Sequence, residues 1–216
     1  MSNSVIAPAI LAENADQYKE QVDKITGLVE RVHIDISDGE FAPTLTVGIP
    51  ELWAPEGWMI DIHAMVNDVA EYVPKLIALR PHMIIIHAEA TGDVKTALMQ
   101  IRQAGIMAGL ALLKPTVPRT VEELIKIADH VMIFSGELGR FGGTASLMQL
   151  EKIRLIKAIN PSVEIGWDGG VVVDNAYSLV QGGVNVLNVG GVIQKSSDPR
   201  TIFSRLQQEI NKTSVL

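Results

Sequence analysis

The feature that most constrains this chain is an alternation. Short apolar runs rich in β-branched residues trade places with longer stretches of helical periodicity along the whole sequence. The runs cover 5–10, 31–37, 59–66, 83–90, 108–114, 130–136, 163–168 and 184–190. Helical stretches begin near Asn14, Val69, Asp93, Val121, Ala145, Asp174 and Asp198, with a weaker turn at 50–55. Strand and helix in alternation imply parallel strands joined by crossover helices. Eight strands in 216 residues predict one α/β domain, a (β/α)8 TIM barrel spanning 1–216. The rival, an open doubly wound sheet, would be favoured by a Gly-x-Gly-x-x-Gly turn near the N-terminus, and the chain has none.

Charge and composition exclude several function classes. A net charge of -7 argues against general nucleic-acid binding. No apolar stretch approaches the ~20 residues of a membrane helix, and Met1 to Ala12 lacks the basic flank of a signal peptide. Without cysteine there is no disulfide framework and no thiolate metal site, which fits a reducing compartment; a cytoplasmic location is expected.

In such a barrel, chemistry belongs at the C-terminal ends of the strands. The second strand alternates so that His33, Asp35 and Ser37 share one face while Val32, Ile34 and Ile36 share the other. The apolar face packs on helices, leaving His33 and Asp35 in the barrel mouth. The third strand places Asp61, His63 and Met65 on one face, and the seventh ends at Asp168 before Gly169-Gly170. Buried Asp is rare unless paired or metal-bound. His33, Asp35, His63 and Asp168 therefore make a cage for one divalent ion, with N/O ligation suited to Zn, Fe, Mn or Co. Each residue alone is as readily a structural hydrogen-bonding group; the four together are not.

Glycine pairs Gly142-Gly143, Gly169-Gly170 and Gly190-Gly191 follow strands six, seven and eight. Glycine lets backbone N–H groups converge on an anion, and phosphate sites of these barrels use the loops after strands seven and eight. A phosphate site reads better than three ordinary turns. Met65 is a pocket wall or ordinary core. His87 and Glu89 line the pocket or support it, Lys114 approaches the substrate or is solvated, and His82 and His130, at the barrel bottom, read as structural.

These motifs resemble the ribulose-phosphate 3-epimerase family nearly end to end, from Ile6-Ala7-Pro8-Ala9-Ile10-Leu11 to Asp198-Pro199. The most specific segments are 33–43 (HIDISDGEFAP), 61–66 (DIHAMV), 87–91 (HAEAT), 141–143 (FGG) and 168–170 (DGG). The resemblance implies metal ligands at His33, Asp35, His63 and Asp168, proton-transfer carboxylates at Asp35 and Asp168, and phosphate loops at the glycine pairs. It implies interconversion of D-ribulose 5-phosphate and D-xylulose 5-phosphate, and commonly a homo-oligomer; a close relative acts on D-allulose 6-phosphate.

The chain departs from that pattern around the chemical core. Ala9 stands where the family has serine, Ser37 and Phe134 where it has methionine, and Gly166 where it has an acidic residue. Gly190-Gly191 replaces a Gly-Ser or Gly-Thr, and the loop from Gly136 to Phe141, with Arg140 placed to reach a phosphate or close the pocket, is one residue longer. These changes bear on the substrate more than on the reaction. Alternatives are the same epimerisation on a hexulose 6-phosphate, or a non-catalytic sugar-phosphate-binding protein. A decarboxylase reading through Asp-x-Lys-x-x-Asp fails, because Ser37 and Glu40 occupy its Lys and second Asp positions.

Overall fold

Eight parallel strands pair in sequence order, and the eighth pairs with the first, so the sheet closes on itself. The computed structural model describes residues 4–212. The strands are β1 (Val5–Ile10), β2 (Arg31–Ser37), β3 (Met59–Met65), β4 (Met83–His87), β5 (Met107–Leu112), β6 (His130–Phe134), β7 (Glu164–Asp168) and β8 (Val186–Val189). The helices are α1 (Ala15–Ile25), α2 (Val69–Ala78), α3 (Val94–Gln103), α4 (Glu122–Ile127), α5 (Glu151–Ile159), α6 (Val173–Gln181), α7 (Gly191–Gln194) and α8 (Pro199–Ile210). This is the (β/α)8 TIM barrel that the alternation predicts.

Helix starts are written in the sequence. Asn14, Asp68, Asp93 and Asp198 each accept a backbone N–H of the first turn, satisfying a donor that would otherwise lack a partner. Outward strand residues, among them Ile34, Ile62, Ile84, Leu110, Ile133 and Leu187, join helix residues such as Val22, Leu76, Leu98 and Leu179 in the main core. A smaller cluster of Met83, Ile85, Ala111, Met132 and Phe134 fills the barrel itself.

The barrel floor is charged. Arg31 donates from Nε to Asp61 at 2.6 Å and from both terminal nitrogens to Glu164 at 3.0 and 2.9 Å. His82 lies 2.8 Å from Asp61 and His130 lies 2.7 Å from Glu164. Pairing makes these buried charges tolerable. Burial lowers the pKa of Arg31, but Glu164 and Asp61 outweigh it and raise the pKa overall.

Some boundaries differ from the sequence reading. β4 stops at His87, with Ala88 and Glu89 in a turn, because the Glu89 carboxylate leaves the strand to accept the Leu113 N–H. β8 starts at Val186, since the Val184 N–H is bound by Leu179 of α6. The helix expected near Ala145 is delayed: a 3-10 turn at Leu147–Leu150 precedes α5. The short α7 directly after β8 was not foreseen. No helix among the described residues is long and apolar enough to cross a membrane.

Candidate active site

Strand register assembles the site at the C-terminal rim. His33 pairs with Asp61 and Asp35 with His63 across β2 and β3, while Phe134 pairs with Asp168 across β6 and β7. Inward alternation then brings His33, Asp35, His63 and Asp168 together, with one ligand atom from each lying within 4.8 Å of the others. Asp35 Oδ1 is 3.2 Å from His33 Nε2 and 2.8 Å from His63 Nδ1; Asp168 Oδ2 is 3.8 and 3.7 Å from the same nitrogens. Ligands bound at ~2.1 Å around one ion stand roughly 3–3.5 Å apart, so the four fit a divalent cation. The donor set supports the same fit: neither ring nitrogen of the fully buried His33 makes a well-aligned hydrogen bond among the described residues, and its Nε2 faces only the Asp35 and Asp168 carboxylates. A buried imidazole whose hydrogen bonds are poorly aligned is costly, and a ligated one is not.

The two carboxylates are unequal. Burial pushes Asp35 up, but His33 and His63 outweigh it and hold the carboxyl well below the ordinary range. Asp168 is pushed up to about 6, first by burial and then by the charge of Asp35. The His33 imidazole loses basicity to burial and regains more from Asp35 and Asp168, so its pKa rises. Two carboxyls of unequal basicity, Asp35 from β2 and the more basic Asp168 from β7, face the same cavity.

That cavity is also lined by Met65 and all six glycines, Gly142, Gly143, Gly169, Gly170, Gly190 and Gly191. At Gly169 and Gly170, φ is 97° and 70°, and an added Cβ would lie 2.0 Å from Gly136 N and 2.1 Å from Ala145 N. Only glycine lets these loops approach so closely. Gly190 serves differently: its missing side chain leaves room for the Phe141 ring, 2.4 Å from where a Cβ would stand.

A model of the ribulose-phosphate 3 epimerase family matches residues 5–194. This chain belongs to that family. A ribulose-phosphate 3-epimerase of Aquifex aeolicus is 30% identical over 202 residues, covering 90% of this chain and 91% of its own. One from Helicobacter pylori is 30% identical over 210 residues, covering 94% and 96%. The 3-hexulose-6-phosphate synthase of Salmonella typhimurium superposes with a TM-score of 0.73 over 95% of this chain and 97% of its own, at 15% identity, a likeness of fold alone.

The departures of this chain from the ribulose-phosphate 3-epimerase pattern fall in three places. Ala9, Phe134 and Gly191 line the cavity; Ser37 does not, its Oγ accepting the Gly39 N–H at 3.5 Å instead. Gly166 lies lower in the barrel, where a Cβ would meet His130 Nε2 at 2.3 Å. Arg140 and Lys195 both line the cavity as exposed cations, and neither forms an ion pair among the described residues. Lys195 was missed because nothing in the sequence placed residue 195 next to the glycine loops before α7 was seen. Asn188 was also missed: it pairs with Asp168 across β7 and β8, lines the cavity, and donates to Met132 Sδ at 3.2 Å. Lys114 lies instead in an adjoining groove with Pro43, Pro115 and Leu138. His87 and Glu89 are absent from the lining and stand behind His63.

Proposed function

We infer that this chain is a one-domain, metal-dependent 3-epimerase of a ketose phosphate, with D-ribulose 5-phosphate and D-xylulose 5-phosphate as its substrate pair. The observation that carries this reading is the convergence of Asp35 and Asp168, two carboxyls of unequal basicity, in one cavity beside His33 and His63. Epimerisation at C3 removes the proton next to the C2 carbonyl and returns one on the opposite face, which requires two acid/base groups across a plane. Asp35 takes the C3 proton, and the C–H electron pair becomes the C2–C3 double bond as the C2 oxygen gains charge. Asp168 delivers its proton to the other face of C3, and the double bond closes back to the carbonyl. The reverse reaction exchanges the two roles.

His33, Asp35, His63 and Asp168 would hold the ion. A bound divalent cation supplies positive charge beside the oxygens on which the enediolate charge develops. The glycine loops hold the phosphate at the far side of the cavity, and Arg140 and Lys195 add charge at its mouth, fixing C3 between the carboxylates. Phe134 and Ala9 reshape the sugar end, which keeps a hexulose 6-phosphate as a second reading.

The test is turnover of D-ribulose 5-phosphate, D-allulose 6-phosphate and free D-ribulose by the purified protein, with elemental analysis of the same sample. The expected result is one divalent ion per chain, highest turnover on the pentulose phosphate and far slower reaction of the free sugar. Full activity without metal, or equal rates with and without phosphate, refutes the reading.

A further inference from the structure

Behind the cluster runs a chain of hydrogen bonds that the reaction itself does not use. His63 Nε2 lies 2.8 Å from His87 Nε2, and His87 Nδ1 lies 3.4 Å from Glu89 Oε2. Glu89 Oε1 accepts the Leu113 N–H at 3.0 Å and the Thr116 hydroxyl. His87 is fully buried, with Phe41 and Phe134 packed on its ring at centroid distances of 4.6 and 5.9 Å. We propose that Glu89 and His87 are positioning residues that set the tautomer of His63, keeping its Nδ1 free of a proton and open to a metal ion.

The argument is one of donor and acceptor parity. Two imidazole nitrogens at 2.8 Å share one proton, so only two arrangements of the neutral rings exist. In the first, His63 Nε2–H donates to His87, His87 carries its proton on Nδ1 and donates to Glu89, and His63 Nδ1 is bare. In the second, every proton moves to the other nitrogen of its ring: His87 Nδ1 is bare against a carboxylate, and His63 Nδ1 is protonated. An ionised carboxylate offers only acceptors. Glu89 is held ionised: burial opposes this, but the donors His87, Thr116 and Leu113 lower its pKa overall. It therefore favours the first arrangement, while Asp35, an acceptor 2.8 Å from His63 Nδ1, favours the second when no cation is bound. A cation between His63 Nδ1 and Asp35 Oδ1 would take the place of the proton shared there, and Glu89 lowers the cost of giving that proton up by holding the first arrangement. The outer partner of a ligating histidine sets its tautomer and raises its basicity; here the carboxylate acts through a second imidazole.

The inference rests on the metal reading above and sharpens it. Glu89→Gln inverts the relay without removing it. The amide oxygen must still accept the Leu113 N–H, so the amide NH2 turns to His87 Nδ1. That nitrogen then becomes an acceptor, and the proton arrives on His63 Nδ1. His87→Gln preserves the sense of the relay, its carbonyl accepting from His63 and its amide donating to Glu89, whereas His87→Leu breaks it.

The experiment is zinc affinity of the full chain, stripped and titrated against a chromophoric chelator, with the thermal midpoint of each metal-free protein measured alongside. Glu89→Gln and His87→Leu should bind zinc about 10–100-fold more weakly, His87→Gln should stay near wild type, and the metal-free midpoint of Glu89→Gln should remain close to wild type. A purely structural role would move the midpoint with the affinity. Wild-type affinity in Glu89→Gln, or equal losses in His87→Gln and His87→Leu, overturns the relay while the metal reading stands. A wild-type chain that binds no zinc or other divalent ion removes both.

Discussion

At Gly166 the strand β7 passes so close to His130 that an added Cβ would lie 2.3 Å from Nε2 and 2.7 Å from Cε1. His130 is fully buried and tied to Glu164 at 2.7 Å, so the ring cannot swing aside without giving up that bond. Gly166→Ala is therefore an overpacking substitution with an expected cost of about 1–3 kcal/mol. In a chain of this size that lowers the thermal midpoint by roughly 2–4 °C per kcal/mol. His130→Ala removes the obstacle, but it leaves a void and strips Glu164 of a donor, at about 2–4 kcal/mol. In the double variant the new methyl enters the vacated space. It should melt no lower than His130→Ala alone, a coupling of about 1–3 kcal/mol. Thermal unfolding of the four proteins by circular dichroism measures this. Midpoint losses that simply add would refute the contact as the reason for glycine at this position.

Further outcomes follow from the site and the floor. Asp35→Asn and Asp168→Asn should each lose about 10²–10⁴-fold or more in epimerisation. One of the two should still exchange the C3 proton of a single epimer in deuterated water; near-normal turnover by either, with its metal retained, rules out two-base transfer. Arg140→Gln with Lys195→Gln should raise KM for the phosphorylated ketose more than it lowers kcat, as removal of uniform binding does; an unchanged KM would place both cations outside phosphate binding. Burial raises the Glu164 carboxyl, but His130 and Arg31 together hold it well below the ordinary range. A depressed folded pKa adds stability above the unfolded carboxylate value of ~4.3, and that stability is lost as pH falls through the folded pKa. Glu164→Gln should therefore be less stable than wild type at neutral pH, with the gap closing on acidification; a gap independent of pH counts against the ion network.

Much of the site was legible because period-two alternation and strand ends are written locally. The residues 33–37 and 61–65 carry their inward faces in the sequence, and β2 occupies the span that the pattern gives. Whether those faces meet depends on register and closure, which only the assembled sheet supplies. Asn188 is one polar residue in an apolar run that the pattern does not single out, and its place beside Asp168 follows from β7–β8 pairing. Glu89 reads as a strand residue until its carboxylate is seen to leave the strand for Leu113 and Thr116 across the β4–β5 boundary. Gly166 looked like the loss of an acidic group, while the structure shows a cavity made for an imidazole that arrives from another strand. Long-range pairing of side chains is the level at which pattern reading stops.

The bidentate bond from Arg31 to Glu164 spans 133 positions and joins β2 to β7 past the two strands between them. Such a contact forms only when the chain has brought its late strands round to its early ones, so loop closure precedes it during folding. An interaction that is absent from the transition state slows unfolding and leaves the refolding rate almost untouched. Arg31 is thus expected to act on lifetime: a variant that loses the Glu164 bond should let a closed barrel open sooner while forming it at nearly the wild-type rate.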